Sequence, residues 1–125
     1  MEESDPLLVE YHALHPTRFP IVERLELRQQ LSLGGAPPSL ELYLEMCSES
    51  GDQSGRLLFR FSGVTGLRLS HQYSLLQLPL LEIRSIKERQ WEGLNYKVRG
   101  SDEQILSFYC RDFVATLDGD PYGGQ

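Results

Sequence analysis

The sequence predicts a mainly β domain, α+β at most: an antiparallel, twisted sheet in meander order, closing toward a partial barrel or a sandwich, with one short N-terminal helix. Three observations predict it. Apolar and polar residues alternate with period 2 in successive stretches, the mark of a strand with one face buried. Gly- and Pro-rich breaks separate the stretches. The first three stretches are joined by connections too short for crossover helices, which implies antiparallel pairing. Six to eight strands of about five or six residues, with their turns, use nearly all of a 125-residue chain.

Residues 1 to 20 contain Pro6, Pro16 and Pro20 and no sustained period. Leu7, Leu8, Tyr11 and Leu14 have the spacing of one or two helical turns before Pro16. From Ile21, Leu25, Leu27, Leu31 and Leu33 fall on odd positions with Arg24, Glu26, Arg28 and Gln30 between them, so the first strand should bury its leucines. Gly34-Gly35-Ala36-Pro37-Pro38 ends it. The second strand turns Leu40, Leu42, Leu44 and Met46 inward and Glu41, Tyr43 and Glu45 outward. After a polar Ser48–Gly55 connection, Leu57, Phe59 and Phe61 alternate with Arg56, Arg60 and Ser62. A short strand over Val64–Leu69 follows Gly63.

Residues 72–80 hold Leu75, Leu76, Leu78 and Leu80 with Pro79, too dense for a surface strand, and read as a buried connection. Leu81–Ile86 and Leu94–Val98 are the next strands, with Trp91 in the turn between them. Ile105–Phe113 is apolar on both parities, as expected of one central strand covered on both sides. The domain should therefore occupy residues 1–117, with 118–125 as a flexible tail.

Composition excludes several function classes. The chain is 40% hydrophobic and 24% charged, with a net charge of −6, which fits a globular protein and argues against nucleic-acid binding. No apolar run approaches the roughly 20 residues of a membrane span. The acidic start Met1-Glu2-Glu3-Ser4-Asp5 is unlike a signal peptide, and Cys47 and Cys110 lie apart in apolar stretches as reduced buried thiols would, so the cytoplasm is the expected location. Glu10, His12 and His15 come nearest to a metal set, yet a structural zinc site wants four ligands. There is no G-x-S-x-G elbow, no phosphate loop, and no Cys beside a helix start, so no catalytic residue and no cofactor is expected.

What remains is binding. Residues 1–55 carry ten acids and three bases, a net −7, while residues 56–125 carry eight acids and nine bases, a net +1. If the second and third strands pair, Glu41 and Glu45 should form cross-strand ion ladders with Arg56 and Arg60, extended by Arg24, Glu26 and Arg28. The candidate protein-binding residues are Glu41, Tyr43, Glu45, Glu49, Asp52 and Trp91: acids to steer a basic partner, aromatics to anchor it. The rival reading is a small-ligand or enzymatic β-barrel with an interior pocket lined by Tyr96, Tyr109, His71 or Arg111.

The segments GRLLFRFSGV (55–64), LEIRSI (81–86), EGLNYKV (92–98) and ILSFYC (105–110) resemble small bacterial β-rich domains. Some of these are immunity proteins encoded beside polymorphic toxins, including an Imm50-like group. The resemblance spans roughly residues 55–115 and implies an acidic single domain that binds and blocks one toxin. Contact residues vary among such proteins, so the resemblance assigns none here.

Overall fold

The computed structural model describes residues 5–31, 34, 38–48, 55–70, 78, 81–89, 93–100 and 105–118. Eight strands form two four-stranded antiparallel sheets: β1 (Ile21–Gln30), β2 (Ser39–Cys47), β3 (Arg56–Ser62), β4 (Thr65–Leu69), β5 (Glu82–Ser85), β6 (Tyr96–Arg99), β7 (Leu106–Cys110) and β8 (Asp112–Asp118). One sheet has the order β1-β2-β3-β8 and the other β4-β7-β6-β5, so the fold is an open sandwich and not a barrel. Both contain a meander, β1-β2-β3 in the first and β5-β6-β7 in the second.

The apolar parity of β2 and β3 turns Leu42, Leu44, Met46, Leu57, Phe59 and Phe61 into the interior, where all are buried. Tyr96, Val98, Phe108 and Cys110 do the same from the second sheet. The halves meet through aromatic edges: Phe61 against Phe108 with centroids 4.9 Å apart, and Tyr96 against Phe113 at 5.0 Å. Both cysteines are free and buried, and burial pushes the Cys110 thiol up to about 12.

Two expectations need correction. The apolar run 105–113 is two strands, not one, because the chain bends at Arg111 and passes from one sheet into the other. Residues 56–69 and 106–118 thus form one bent ribbon: the β3/β8 register, with Ser62 opposite Asp112, carries through to Thr65 opposite Tyr109. The Arg111 amide donates to the Ser62 carbonyl at 2.9 Å across the bend. Gly63 faces Arg111 there at φ 66°, and a Cβ on it would stand 2.9 Å from the Arg111 Cβ. Glycine is required by both conformation and space.

The second correction concerns the leucines of the first strand. Leu27 is 46% exposed and Leu31, just beyond β1, is 73% exposed, although both have the inward parity. β1 is an edge strand with a neighbour on one side only, and its far end outruns the core. Of the two expected forms, partial barrel or sandwich, the two separate strand orders give the sandwich. Of the connection 72–80, Leu78 is described and is buried as expected.

The helix α1 (Pro6–Ala13) begins as its sequence directs, with Asp5 capping the Leu7 amide at 3.0 Å and Pro6 in the first turn. Tyr11 projects from it into the core and donates its hydroxyl to the Leu81 carbonyl. Asp5 also accepts from the Tyr96 hydroxyl at 3.0 Å and pairs with Lys87 at 3.0 Å. Burial alone would raise the Asp5 carboxyl, but the hydrogen bonds from Lys87, Tyr96 and Leu7 outweigh it and hold the group below its ordinary value. The N-terminal segment is thereby pinned to the second sheet.

Candidate protein-binding face

The outer face of β1–β3 gathers the residues that sequence parity turned outward. Register places Tyr43 between Glu26 of β1 and Arg60 of β3, and Glu41 between Arg28 and Ser62. Tyr43 donates its hydroxyl to Glu41 Oε1 at 2.8 Å, and Arg60 donates to Glu41 Oε2 at 3.1 Å. The guanidinium carbons of Arg28 and Arg60 lie 5.7 and 5.9 Å from the Tyr43 ring centroid, within cation–π range. Glu41, only 8% exposed, is the acceptor at the centre of this cluster. The Tyr43 hydrogen bond lowers its carboxyl, burial opposes, and Arg60 lowers it further, leaving it below its ordinary value. The same hydrogen bond raises the Tyr43 hydroxyl, because ionising it would set two negative charges together.

Glu45, half-buried, pairs with Arg56 at 3.4 Å, and Arg56 also holds Glu23 with two hydrogen bonds. Arg24 and Arg28 both reach Glu26, at 3.0 and 3.8 Å. The β2–β3 ion pairs are therefore formed as the alternation predicted, whereas Arg24 and Arg28 pair with Glu26 of their own strand. β1–β3 carry Glu23, Glu26, Glu41 and Glu45 against Arg24, Arg28, Arg56 and Arg60, and β8 adds Asp112 and Asp118 opposite Ser62 and Arg56, so the strands of this sheet hold two more acids than bases.

Of the sequence-predicted site residues, the structure brings together Glu41, Tyr43 and Glu45 on β2. Glu49, Asp52 and Trp91 lie outside the described residues. What sequence reading missed is Arg28 as the second cation on Tyr43. The alternation gave its side of β1, but only pairing register sets it beside β2 residue 41.

The second sheet has a different outer face. β5 presents Glu82 and Arg84, β6 presents Lys97 and Arg99, β7 presents Ser107 and Tyr109, and β4 adds Arg68 and Thr65. Glu82 accepts from Arg99 at 2.6 Å and from Arg84 at 3.3 Å. The Arg99 hydrogen bond is the main reason its carboxyl sits below the ordinary value.

The residues proposed for an interior pocket do not converge. Tyr96 is buried on the inner face of its sheet, Tyr109 stands on the outer face, and His71 lies outside the described residues. Arg111 instead borders an open depression of about 600 Å³ with Gln29, Leu40, Val64 and Leu94. Among the described residues, no three His, Cys, Asp or Glu side chains are grouped to hold a metal, and His12 and His15 are exposed. No described helix is long and apolar enough to cross a membrane.

The described residues define an open antiparallel sandwich with a packed interior and interlocked charge on its surface. Residues 6–116 match the family immunity protein PIM8, and the chain belongs to that family. The resemblance to immunity proteins read over residues 55–115 thus extends over nearly the whole chain. Membership implies a protein-binding role toward a toxin partner. Comparison with curated proteins and with solved structures gives no match.

Proposed function

We propose that the chain is a non-catalytic, cytoplasmic inhibitor that captures a basic toxin through its acidic connections, the β2–β3 connection first among them. The observation that carries this reading is where the acids fall. The eight strands hold seven acids and eight bases, whereas the rest of the chain holds eleven acids and four bases. The excess negative charge belongs to the connections and termini, where loops give a surface its reach toward a partner.

Glu49 and Asp52 lead the encounter in this reading. Tyr43, Glu45 and Trp91 supply contact, and Glu41 holds Tyr43 in place from behind. Steering of this kind appears in the association rate and fades with salt. The test is Glu49→Lys with Asp52→Lys, measured as association rate against the secreted toxin encoded beside the gene. We expect about tenfold slower association at low salt, converging with the unchanged protein as salt rises. An unchanged rate removes this connection from the encounter surface. Failure of the unaltered protein to protect cells co-expressing that toxin would overturn the pairing itself.

A further inference from the structure

β1 is the longest of the four edge strands, with ten residues against seven in β8, five in β4 and four in β5. Among the described residues, no backbone hydrogen bond reaches it from the side away from β2. The bond from the Leu78 amide to the Pro20 carbonyl stops just short of the strand. From Leu27 to Gln30 every residue is exposed, on both faces of the strand. Proteins blunt their sheet edges by shortness, bulges, lysine, proline or an inward-pointing charge. β4 and β5 are short, β4 shifts register between Thr65 and Arg68, and β8 begins and ends on aspartate. β1 has one bulge, between Val22 and Arg24. From Arg24 to Gln30 it holds no lysine or proline, and it turns Leu25, Leu27 and Gln29 to the inner face opposite Leu44, Leu42 and Leu40.

From this edge we infer that the protein pairs with a second copy of itself, β1 antiparallel to β1, about a two-fold axis through Leu27. Charge complementarity selects both the occupant and the register. A two-fold antiparallel pairing sets residues equally far from the axis opposite each other. An axis at Arg24, Glu26 or Arg28 would set that residue against its own copy, like charge on like. An axis at Leu25 would pair Arg24 with Glu26 but bring Leu27 opposite Glu23, in the bulge. An axis at Leu27 sets Glu26 of each copy opposite Arg28 of the other and Leu27 opposite itself. It uses the whole of Arg24–Gln30 and stays clear of the bulge.

The single copy shows why these pairs are open to exchange. Glu26 is reached only by arginines of its own strand, Arg24 at 3.0 Å and Arg28 at 3.8 Å, whose side chains are 67% and 60% exposed. Those are the pairs left to a strand with a neighbour on one side. In the dimer the same charges meet across strands, and Leu27, 46% exposed, is covered by its copy on the inner face. The outward amides and carbonyls of β1 gain partners, and two four-stranded sheets run on as one. The inference does not depend on the toxin reading, since it uses neither Glu49 nor Asp52.

The test is analytical ultracentrifugation of the full chain, of Arg28→Glu, of Glu26→Arg, and of the chain with both changes. The unaltered protein should dimerise as its concentration rises. Either single reversal sets like charges opposite each other twice and should weaken the dimer by about tenfold or more. Mixed in equal amounts, the two single variants should associate with each other, since every acid then meets a base, and the double variant should dimerise again. Recovery on mixing requires both variants to be folded, so it separates lost pairing from lost folding. A monomer at every concentration up to about 1 mM overturns the inference. A dimer that both single variants leave intact overturns it as well, because the contact then lies elsewhere. A chain that stays monomeric and whose β1 amides gain protection from hydrogen exchange only when the neighbouring toxin is added overturns it in favour of a strand of the toxin.

Discussion

On the outer face of β1–β3, each carboxylate of the middle strand is answered by an arginine on β3: Glu41 by Arg60 and Glu45 by Arg56. On the outer face of β4–β7, Glu82 of β5 is shared by Arg84 of its own strand and Arg99 of β6. Both faces belong to four-stranded antiparallel sheets over one core, so the difference is not one of architecture. It comes from which charges the register sets side by side. Ladders of alternating sign close on themselves and leave little field outside. On the second face one carboxylate is shared by guanidiniums of two strands, so the pairing converges on a point instead of running along the sheet.

The comparison can be broken hardest from beneath. Phe61 is fully buried under the first sheet and meets Phe108 of the second, so Phe61→Ala removes packing from both halves. We expect a loss of about 3–5 kcal/mol in chemical denaturation, with both faces lost in one transition. Two separate transitions would show that the sheets do not share one core.

A smaller change acts at the corner that joins the faces. Gly63→Ala introduces a Cβ 2.9 Å from the Arg111 Cβ at a left-handed φ, and should cost about 1–3 kcal/mol in the same measurement. A neutral result would mean that the β3/β8 ribbon can rebend elsewhere.

The smallest effect sharpens the electrostatic half of the comparison. Glu41→Gln keeps the shape but removes the charge that Tyr43 and Arg60 bind, with an expected cost of about 1 kcal/mol at neutral pH. The sign of the pH dependence follows from the lowered carboxyl. A group held below its ordinary 4.5 contributes stability that is complete above that value and lost as pH falls through the lower folded-state value. The unaltered protein should therefore lose stability more steeply below about pH 4.5 than Glu41→Gln does. Equal slopes would show that Glu41 is not held ionised by its neighbours. Asp5 and Glu82 are lowered in the same sense and set the slope that remains.

Much of this was legible in the residues. Period-2 alternation located β2 and β3, and the parity that buried Leu42 and Phe59 also turned Glu41 and Arg60 outward. The short helix before Pro16 was readable from the spacing of Leu7, Leu8, Tyr11 and Leu14, while its Asp5 cap was not read. Other features were not. The run 105–113 is apolar on both parities because Leu106, Phe108 and Cys110 face the core from β7 while Phe113, of the other parity, faces it from β8, so composition gave no sign of the bend at Arg111. Leu27 and Leu31 kept the inward pattern on a strand whose outer end has nothing to pack against. The placing of Arg68, Arg84 and Lys97 on one face of the second sheet escaped notice because they are far apart along the chain and meet only through register.

By itself the sequence determined the strand-forming stretches, their buried faces and the total charge, because alternation and composition are local properties that one strand expresses without its neighbours. Only the tertiary structure decided the two strand orders, the corner at Gly63 and Arg111, and which charged side chains stand side by side on each outer face. Those depend on pairing between residues far apart in the chain, and a strand's own pattern fixes which side a residue faces but not what stands beside it.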